Sequence, residues 1–454
     1  MTNILLKDFE GNPTTLALID VKNFNSWKQD LPRLSQNWVT KNGFEGKAGE
    51  ICWLPEENTK PQKVAVGWDG SNSLETLGHL PYALPEGVYK LSDAISEHQL
   101  LGWLMGSYKF NRYKTPERKP AQLIMPEELD IPLIEAINDS VTFARDLINT
   151  PANEMGPSEL TAQARNLAIK NGAEITVVKG KELIEEKLLS IYTVGQAATD
   201  EPRLIDISWG NPNDPRVTIV GKGVCFDSGG LNIKPSNGIR HMKKDMGGAA
   251  VSLGLASLIM EKNLPIRLRL LIGAVENAIS GNAYRPGDVL KTYKGFSVEI
   301  DNTDAEGRLI MCDCLALAAE EEPSLVIDFS TLTGSARSAV GAEISAMFCN
   351  DDSLAERIYD AGERTEDPIW RLPLHKPYRH MLKSNIADMV NSAPSPYAGA
   401  ITAALFLENF INDYPWVHFD INAFNTRHRP GRPEGGEAMA MRAIFDYLKE
   451  RFGE

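Results

Sequence analysis

From residue 159 onward, segments with the apolar spacing of a helix alternate with short apolar runs that are typical of strands. Residues 159–171 have helical spacing, and the strand-like runs that follow are residues 174–178, 204–209, 217–221, 268–275, 326–329 and 416–420. Such an alternation indicates a sheet with helices on both of its faces. The sequence therefore predicts an α/β fold, in which this part of the chain forms a mixed sheet covered by helices on both faces.

The N-terminal part of the chain predicts a second, smaller α/β domain. Residues 64–68 have the pattern of a strand, and residues 97–108 have that of a mostly buried helix. Apolar residues at helical spacing in 133–148 predict a linking helix, which Pro151 ends. A chain of 454 residues is long enough for two domains. We predict an N-terminal α/β domain at residues 1–125, a linking helix at 126–150 and a larger domain at 151–454.

The composition argues against several classes of protein. A formal net charge of −14 is opposite to the basic surface that nucleic-acid binding requires. No apolar stretch approaches the roughly eighteen residues that cross a bilayer, and the N-terminus becomes acidic at Asp8, too early for a secretory signal. The cysteines lack the spacing of a zinc finger or a thioredoxin motif, and they are Cys52, Cys225, Cys312, Cys314 and Cys349. We expect reduced thiols in a cytoplasmic protein, with neither membrane nor nucleic acid as a partner.

Two carboxylates and an arginine stand together in the segment 302–309, whose sequence is Asn-Thr-Asp-Ala-Glu-Gly-Arg-Leu. Asp304 and Glu306 alternate, as they would on one side of an extended strand. Arg308 follows, and the apolar run at 309–319 predicts a helix. The segment is thus predicted to be a strand end that delivers two acids and a cation to the start of a helix. The alternative is a solvated, self-paired loop, since Asp-x-Glu beside an arginine is common in such loops.

Two further acids lie in glycine-rich segments upstream. Asp227 belongs to the segment 221–234, Gly-Lys-Gly-Val-Cys-Phe-Asp-Ser-Gly-Gly-Leu-Asn-Ile-Lys. Asp245 belongs to the segment 243–250, Lys-Lys-Asp-Met-Gly-Gly-Ala-Ala. We place each acidic motif just after a predicted strand, and ligands of an α/β sheet bind beyond the carboxyl ends of its strands. The acids are therefore predicted to meet in one cleft.

Four acids in one cleft repel one another unless they are protonated or neutralised. Divalent cations neutralise them, and oxygen ligands suit hard or borderline metals. Two cations that share carboxylates polarise a carbonyl and lower the pKa of a shared water. Lys222 and Lys234 add positive charge, and nearby cations would push Lys222 toward the neutral amine, which can coordinate a metal. The alternative is that these acids and lysines form ion pairs at the surface.

Other catalytic motifs fit the sequence less well. Gly221-x-Gly223 follows a predicted strand, but Phe226 replaces the third glycine of a dinucleotide-binding loop. The order Gly-Lys-Gly also differs from that of a phosphate-binding loop. Ser228 does not lie in the Gly-x-Ser-x-Gly motif of a serine hydrolase, and the sequence has no His-Glu-x-x-His zinc helix. A carboxylate cluster that holds metal ions remains.

The separated motifs resemble the M17 leucyl aminopeptidase family, the cytosol aminopeptidases, whose signature is close to Asn-Thr-Asp-Ala-Glu-Gly-Arg-Leu. The segments 221–234, 243–250 and 302–309 occur in the family's order and with its spacing. Asn-Thr-Pro-Ala-Asn at 149–153 resembles the segment with which the family's catalytic domain begins. The resemblance covers about the C-terminal two-thirds of the chain. It implies that residues 151–454 form a catalytic di-metal peptidase domain.

The resemblance implies a metal-binding role for each of five residues. Lys222 and Asp245 would serve one metal, and Asp304 would serve the other through its side chain and main-chain carbonyl. Asp227 and Glu306 would be shared between the two metals. The metals would be two divalent ions per subunit, zinc or manganese, with magnesium or cobalt as alternatives.

The resemblance also implies how the substrate is held. Lys234 would bind the substrate carbonyl and the oxyanion of the tetrahedral intermediate. Arg308 would hold a bicarbonate that acts as general base, and Gly307 before it would leave the backbone open to that anion. An apolar side-chain pocket would be lined by Met242, Thr331, Leu332 and Gly334.

The sequence departs from the family pattern near this pocket. Ser330 replaces the usual alanine before Thr331, and Asn422-Ala423 replaces the usual Ala-Gly. Residues 433–439 replace a loop of the Gly-Ala-Thr-Gly type. These changes bear on the preferred side chain of the substrate, whereas the metal ligands implied by the family are unchanged.

We therefore expect a metallo-aminopeptidase that releases leucine-like, bulky apolar residues from short peptides with a free N-terminus. The resemblance further implies a homohexamer in the cytoplasm, with active sites that face an inner cavity. A two-metal phosphoesterase is one alternative, but it normally needs more histidine ligands or phosphate-binding donors. A non-catalytic or DNA-binding relative is another. The presence of Lys234 and Arg308 and the negative net charge weigh against that alternative.

Overall fold

The structure, a computed structural model, describes residues 4–55 and 63–453, and the chain divides into two compact units. The first unit is Met1–Asn138 with Arg427–Glu434, and the second is Asp139–Thr426 with Gly435–Glu454. We propose that the domain limits are those predicted from the sequence, namely 1–125, 126–150 and 151–454.

The first unit is a small α/β domain. Its strands are β1 (Leu5–Leu6), β2 (Thr14–Asp20), β3 (Ile51–Leu54), β4 (Lys63–Trp68), β5 (Val88–Leu91) and β6 (Gln122–Ile124). Its helices include α1 (Phe24–Asp30), α2 (Arg33–Lys41), α3 (Leu74–Gly78), α4 (Leu80–Ala83) and α5 (Glu97–Gly106). The strands form one sheet in the order β1-β6-β5-β2-β4-β3, in which β3 pairs antiparallel with β4 and the other pairs are parallel.

The predicted buried helix of this unit is α5, which ends two residues earlier than predicted. Its start is fixed by a capping box: the Ser96 hydroxyl accepts from the Gln99 N–H at 3.2 Å, and the Gln99 side chain accepts from the Ser96 N–H at 2.9 Å. The apolar residues that follow, among them Leu100 and Trp103, are fully buried. Burial on all sides explains why this helix has no polar stripe.

Helix α6 spans Ile131–Asn149 and corresponds to the helical spacing at 133–148. The limit between the two compact units falls within it, between Asn138 and Asp139. None of the helices in the described ranges combines the length and the apolar character that crossing a membrane requires.

The second unit is built on an eight-stranded mixed sheet. Its strands are β7 (Glu174–Lys179), β8 (Arg203–Trp209), β9 (Arg216–Asp227), β10 (Arg267–Asn277), β13 (Leu325–Ser330), β14 (Ser345–Cys349), β15 (Ile369–Arg371) and β17 (Trp416–Asp420), and short strands beside it are β11 (Val289–Lys291), β12 (Ser297–Glu299), β16 (Met389–Val390), β18 (Phe424–Asn425) and β19 (Gly435–Gly436). The strand order is β15-β14-β17-β13-β9-β10-β8-β7. The four central strands, β17, β13, β9 and β10, run parallel to one another.

Helices fill the connections of the second unit. They are α7 (Pro157–Asn171), α8 (Glu182–Glu185), α9 (Leu189–Gly195), α10 (Ser236–Ile239), α11 (Gly247–Glu261), α12 (Gly307–Ala319), α13 (Gly334–Val340), α14 (Asp352–Arg364), α15 (Gly399–Glu408) and α16 (Met441–Phe452). Two short 3-10 helices, Met242–Met246 and Lys376–Leu382, join them. The five cysteines of the chain are all buried and free.

Helices cover both faces of the large sheet. A Cβ added to Gly221 on β9 would lie 2.7 Å from the Cα of Ala249 in α11, and one added to Gly273 on β10 would lie 3.2 Å from the Cβ of Ile310 in α12. Gly273 pairs with Lys222, the residue after Gly221, and successive residues of a strand face opposite sides. Helices α11 and α12 therefore lie on opposite faces, which confirms the predicted arrangement.

Strand β9 is longer than the sequence predicted. The pattern places a strand at 217–221 with its motif after it, whereas β9 continues to Asp227. The parallel pairing with β10 extends as far as the Asn277–Asp227 pair, so the ladder between the two strands keeps the chain extended. Lys222 and Asp227 consequently lie on a central strand and not in the loop after it.

The segment that carries Asp304 and Glu306 is a turn, so the prediction of an extended strand end was wrong. Asn302 Oδ1 accepts a hydrogen bond from the N–H of Asp304 at 2.8 Å, which closes the turn locally. Glu306 already has helical backbone angles, φ −70° and ψ −37°, at the start of α12. A side chain that bonds the backbone two residues on competes with strand pairing, and alternation of acids alone does not reveal it.

Candidate metal centre

Three carboxylates from separate parts of the second unit meet at one point. Asp227 ends β9, Asp245 lies in the 3-10 helix after α10, and Glu306 precedes α12. One carboxylate oxygen from each lies within 4.8 Å of the others. All three residues are buried, with at most 4% of their surface exposed. The structure thus brings together three of the four acids that the sequence predicted to meet.

Two lysines join the acids into one cluster. Lys222 Nζ lies 2.7 Å from Asp245 Oδ2 and 2.9 Å from Glu306 Oε1, and it donates to the carbonyl of Thr331 at 2.9 Å. Lys234 Nζ lies 2.8 Å from Asp227 Oδ2 and also contacts Asp304 Oδ1. Lys234 therefore connects Asp304, the fourth predicted acid, to the buried three.

The pKa values of the buried acids show that they crowd one another. Burial raises the pKa of Asp227 to about 6, with the Asp245 charge adding to the effect and the lysines opposing it. Burial and the Asp227 charge raise the pKa of Glu306 well above its ordinary value. Burial also acts to raise the pKa of Asp245, but Lys222 outweighs it, and the pKa of Asp245 is lowered.

The surrounding carboxylates favour the charged forms of the two lysines. Burial disfavours the charged form of Lys222, but the carboxylates of Asp245 and Glu306 outweigh it, so its pKa is raised. The pKa of Lys234 is raised in the same way, with burial opposed most strongly by Asp227. The protein's own groups thus hold Lys222 as an ammonium. The neutral amine expected from the sequence would require the additional charge of metal ions.

The cluster fits divalent cations. Four carboxylates share two ammonium groups, and burial penalises the ionised form of the acids. Glu306 Oε2 is buried and has no hydrogen-bond partner among the residues that the structure describes. A buried carboxylate oxygen without a donor is costly, and a cation would satisfy it. The residues present are therefore suited to hold such ions.

Asn277 holds the Asp227 carboxylate from the neighbouring strand. Its Nδ2 donates to Asp227 Oδ1 at 2.8 Å and to the carbonyl of Thr303 at 3.1 Å. The N–H of Gly229 donates to the same Asp227 oxygen at 2.8 Å. Asn277 ends β10 and is the register partner of Asp227. Sequence reasoning missed it, although its position two residues after the predicted strand 268–275 is a signal that points to it.

Asn391 holds the acidic turn in place. Its Oδ1 accepts from the N–H groups of Asp301 at 2.8 Å and Asn302 at 3.2 Å. Its Nδ2 donates to the carbonyls of Asn302 at 2.7 Å and Ala305 at 3.4 Å. Its own carbonyl accepts from Arg308 Nη1 at 2.7 Å. No pattern in the sequence points to this role, because Asn391 lies more than eighty residues from the turn and outside every motif.

Arg308 lies in the first turn of α12 and is 7% exposed. Apart from the bond to Asn391, its guanidinium has a buried Nε with no hydrogen-bond partner among the described residues. Burial lowers the pKa of Arg308 to about 10, against the charges of Glu306 and Asp420. The side chain therefore remains a cation and keeps donors available for an anion.

Gly307 does not leave the backbone open to an anion, which corrects the expectation from the sequence. A Cβ at this position would lie 2.5 Å from Lys222 Cε and 2.7 Å from Lys222 Nζ. The space that the missing side chain provides is thus filled by the lysine. The glycine is needed because the Lys222 side chain passes directly against the start of α12.

Of the residues predicted to line the pocket, Thr331 contacts the cluster from the end of β13. Thr331 Oγ1 donates to Asp245 Oδ1 at 2.7 Å, and Met242 begins the 3-10 helix that carries Asp245. Leu332 is half-buried, and Gly334 is exposed at the start of α13. Thr331 is thus the predicted pocket residue with a described contact to an acid of the cluster.

Lys244 precedes Asp245 in the same 3-10 helix. It is buried, and its Nζ donates to the carbonyl of Asn422 at 2.8 Å. Burial lowers the pKa of Lys244 to about 7, and the charge of Arg337 on α13 contributes to the lowering. Lys244 and Arg337 therefore lie near enough for their charges to interact.

Comparison with known proteins identifies the family. Residues 142–445 match the catalytic domain of the cytosol aminopeptidase family, and residues 14–126 match the N-terminal domain of M17 aminopeptidases. A probable cytosol aminopeptidase of Roseiflexus castenholzii is 41% identical over an alignment of 480 residues, gaps included. The alignment covers 97% of this chain and 98% of the relative.

Solved structures agree with this match. A crystal structure of cytosol aminopeptidase from Coxiella burnetii has a TM-score of 0.95 and 46% identity, and the alignment covers 99% of both chains. The bottromycin maturation enzyme BotP in complex with Mn has a TM-score of 0.88 and 30% identity, over 97% of this chain and 100% of BotP. The two-domain α/β fold with a mixed sheet and helices, which the sequence predicts, agrees with these relatives. The chain belongs to the cytosol aminopeptidase family of metallo-aminopeptidases, and it is therefore a peptidase that acts on the N-terminal residue of peptides.

Proposed function

We propose that this protein is a two-cation aminopeptidase of the cytoplasm that releases leucine-like residues from short peptides with a free N-terminus. The observation that carries the proposal is the buried cluster of Asp227, Asp245 and Glu306, with one oxygen of each within 4.8 Å of the others. Lys222 and Lys234 pair with these acids, so the cluster combines metal-ligand chemistry with two cationic donors.

The two divalent ions would be held by five residues, namely Lys222, Asp227, Asp245, Asp304 and Glu306. Zinc or manganese is proposed, with magnesium or cobalt as alternatives, and the manganese complex of BotP supports a divalent ion of this kind. When bound, such ions polarise a carbonyl and lower the pKa of a water.

Lys234 would orient the substrate and stabilise the oxyanion. Its side chain is 16% exposed, more than that of Lys222 or of the three buried acids, so it is open to an incoming peptide. Its contacts with Asp227 and Asp304 fix the ammonium at the edge of the acids. A donor held in place before the reaction begins stabilises the transition state without reorganisation.

Arg308 would hold the general base. A guanidinium does not accept a proton, but it binds a planar carboxylate-like anion through parallel hydrogen bonds. Its unpartnered Nε and its fixed bond to Asn391 leave it oriented for such an anion. Bicarbonate, when bound there, would supply the base.

The side-chain preference follows from the residues beside β13. Met242 and Leu332 offer apolar surface, Thr331 borders Asp245, and Gly334 leaves space at the start of α13. An apolar wall of this kind favours a bulky aliphatic side chain. We further propose a homohexamer, which would limit substrates to short peptides.

A direct test compares several substrates with the purified protein loaded with manganese. Leucine p-nitroanilide should be hydrolysed, and N-acetyl-leucine p-nitroanilide should not, because the blocked amine cannot serve as the recognised N-terminus. A chelator should remove the activity, and added manganese should restore it. Hydrolysis of bis(p-nitrophenyl) phosphate in place of the anilide would favour the phosphoesterase alternative and reject the proposal.

A further inference from the structure

The guanidinium of Arg337 on α13 lies close to Gly334, one of the predicted pocket residues. A Cβ added to Gly334 would lie 3.7 Å from Arg337 Nη2, and no other described atom outside its chain neighbours and the nearby backbone of α13 would lie within 4 Å. Gly334 itself is exposed. The space on the side-chain side of Gly334 is therefore open except for the guanidinium of Arg337.

No acid neutralises this guanidinium within the part of the chain that the structure describes. Arg337 is half-buried and takes part in none of the side-chain hydrogen bonds and ion pairs of the described residues. Asp420, the acid that fixes the neighbouring loop, uses its oxygens for the N–H groups of Leu332 and Thr333 and for the Thr333 hydroxyl. Arg337 thus keeps its charge and its donors for a ligand.

Two of the predicted pocket residues are apolar. Leu332 is half-buried two residues before Gly334, and Met242 begins the 3-10 helix that leads to Asp245. In the side-chain pocket proposed above, Arg337 would place a cation beside Gly334, and Leu332 and Met242 would supply the apolar surface.

We propose that Arg337 determines specificity by binding the side-chain carboxylate of an N-terminal glutamate, which the enzyme would accept in addition to leucine-like residues. This inference rests on the proposed function, since it assigns the same side-chain pocket. A glutamate has an aliphatic stem that suits the apolar wall and a planar carboxylate that a guanidinium binds through two hydrogen bonds. A lysine side chain in the same position would be repelled.

The test uses manganese-loaded enzyme and three dipeptide amides, Glu-Ala-NH2, Leu-Ala-NH2 and Leu-Glu-NH2. The readout is the ratio of kcat/KM for the glutamate substrate to that for Leu-Ala-NH2, because a ratio cancels any loss of folded protein. In Arg337→Gln this ratio should fall about tenfold or more, since a charge-assisted hydrogen bond to the carboxylate is lost. In Arg337→Lys most of the ratio should be kept.

Two further variants complete the design. One reverses the charge at Arg337, and the other replaces an arginine elsewhere as a matched control. Arg337→Glu should raise the ratio of Lys-Ala-NH2 to Leu-Ala-NH2, because the pocket would then carry a negative charge. Arg165→Gln removes an exposed arginine on α7 and should leave the ratios as in the wild type.

The outcomes separate the inference from the proposed function. Cleavage of Leu-Ala-NH2 with an unchanged glutamate ratio in Arg337→Gln would overturn the role of Arg337 and leave the proposed function standing. A loss confined to Leu-Glu-NH2 would also overturn it, because Arg337 would then bind the second residue of the substrate. Failure of the loaded wild type to cleave any of the amides would reject the proposed function itself.

Discussion

Lys222 Nζ lies 2.9 Å from Glu306 Oε1, and this pair joins the central strand β9 to the start of helix α12. Neither side chain is more than 2% exposed, so each depends on the other for compensation of its charge. Gly307 makes the approach sterically feasible, because any Cβ there would collide with the lysine. The pair therefore fixes how the acidic turn is placed against the sheet.

Replacing Glu306 should remove both metal binding and activity. In Glu306→Ala, Lys222 loses a partner and the cations lose the carboxylate that screens their mutual repulsion. Metal content per subunit, measured by inductively coupled plasma mass spectrometry, should fall together with turnover of leucine p-nitroanilide. The control is Glu174→Ala, which changes an exposed glutamate on β7. Two metals per subunit with near-normal turnover in Glu306→Ala would refute the carboxylate-cluster hypothesis.

Removing the Lys234 ammonium should affect kcat more than KM. A donor that acts on the oxyanion contributes mainly in the transition state, and loss of one such donor typically lowers kcat by about 10²–10³-fold. Steady-state kinetics of Lys234→Ala at full metal occupancy provide the measurement, with the exposed Lys291→Ala as the control. An unchanged kcat would mean that Lys234 serves only as an ion-pair partner of Asp227 and Asp304.

Asn277 should influence metal affinity without being a ligand. Its Nδ2 donates to Asp227 Oδ1 at 2.8 Å, and loss of such a supporting bond typically weakens metal binding about 10–100-fold. Titration calorimetry with manganese should show this loss for Asn277→Ala, whereas the exposed Asn213→Ala should bind as the wild type does. Equal affinities in the two variants would show that Asp227 is positioned by β9 alone.

Stability should depend on pH through His418. Burial lowers the pKa of His418, but the carboxylate of Asp328, whose Oδ1 lies 2.5 Å from His418 Nδ1, outweighs it and raises the pKa. The folded protein thus holds this proton more tightly than the unfolded chain does. The stabilisation is complete below the ordinary histidine pKa of about 6.5 and is lost as the pH rises through the folded-state value.

Urea unfolding at a series of pH values measures this contribution. The free energy of unfolding should decline in the wild type as the pH rises above about 6.5, and it should decline less in His418→Gln. Asp420 and Arg308 also act on His418, the first raising and the second lowering its pKa, so the difference between the two proteins isolates the histidine. Parallel curves would show that His418 has the same pKa in the folded and unfolded states.

The sequence was most informative where function depends on residues within one motif. Asp304, Glu306 and Arg308 lie close together in the chain, and their spacing together with the upstream acidic motifs indicates a shared site. Taken alone, the same spacing also fits a solvated, self-paired loop. The layers of the fold were predictable for a similar reason, because helical and strand periodicity are local properties. The length of β9 was not predictable in this way. The strand extends to Asp227 because it pairs with β10, and a local sequence pattern does not reveal that pairing.

The parts of the site that escaped prediction are held by contacts between distant residues. Asn391 bonds the acidic turn from a separate segment, and no periodicity or spacing links the two. The prediction of a strand was wrong because Asn302 Oδ1 accepts a hydrogen bond from the N–H of Asp304 and so closes a turn. The alternation of acids in the sequence is the same with or without this bond. The prediction that Gly307 leaves room for an anion was wrong for the same reason. Only the folded chain shows that Lys222 occupies the space beside the Gly307 Cα.

Arg308→Ala should keep its metals but lose much of its rate. The acids around Arg308 are already engaged: Glu306 is paired with Lys222, and Asp420 accepts hydrogen bonds from Leu332 and Thr333. Asp304 is likewise paired with Lys234. Water activated for attack still needs a proton acceptor before a proton can reach the leaving amine. An anion bound by the guanidinium would fill this role, and Nε of Arg308 is buried without a hydrogen-bond partner among the described residues.

Dependence on bicarbonate distinguishes this role from a structural one. Wild-type enzyme stripped of bicarbonate should slow and then recover when bicarbonate returns, whereas Arg308→Ala should be slow in both conditions. Arg308→Lys keeps a positive charge but lacks the planar pair of donors, so it should recover only in part. Metal content, measured alongside, should stay at the wild-type level in both variants. If wild type and Arg308→Ala respond to bicarbonate alike, the arginine serves to anchor the carbonyl of Asn391, and the base must be another group.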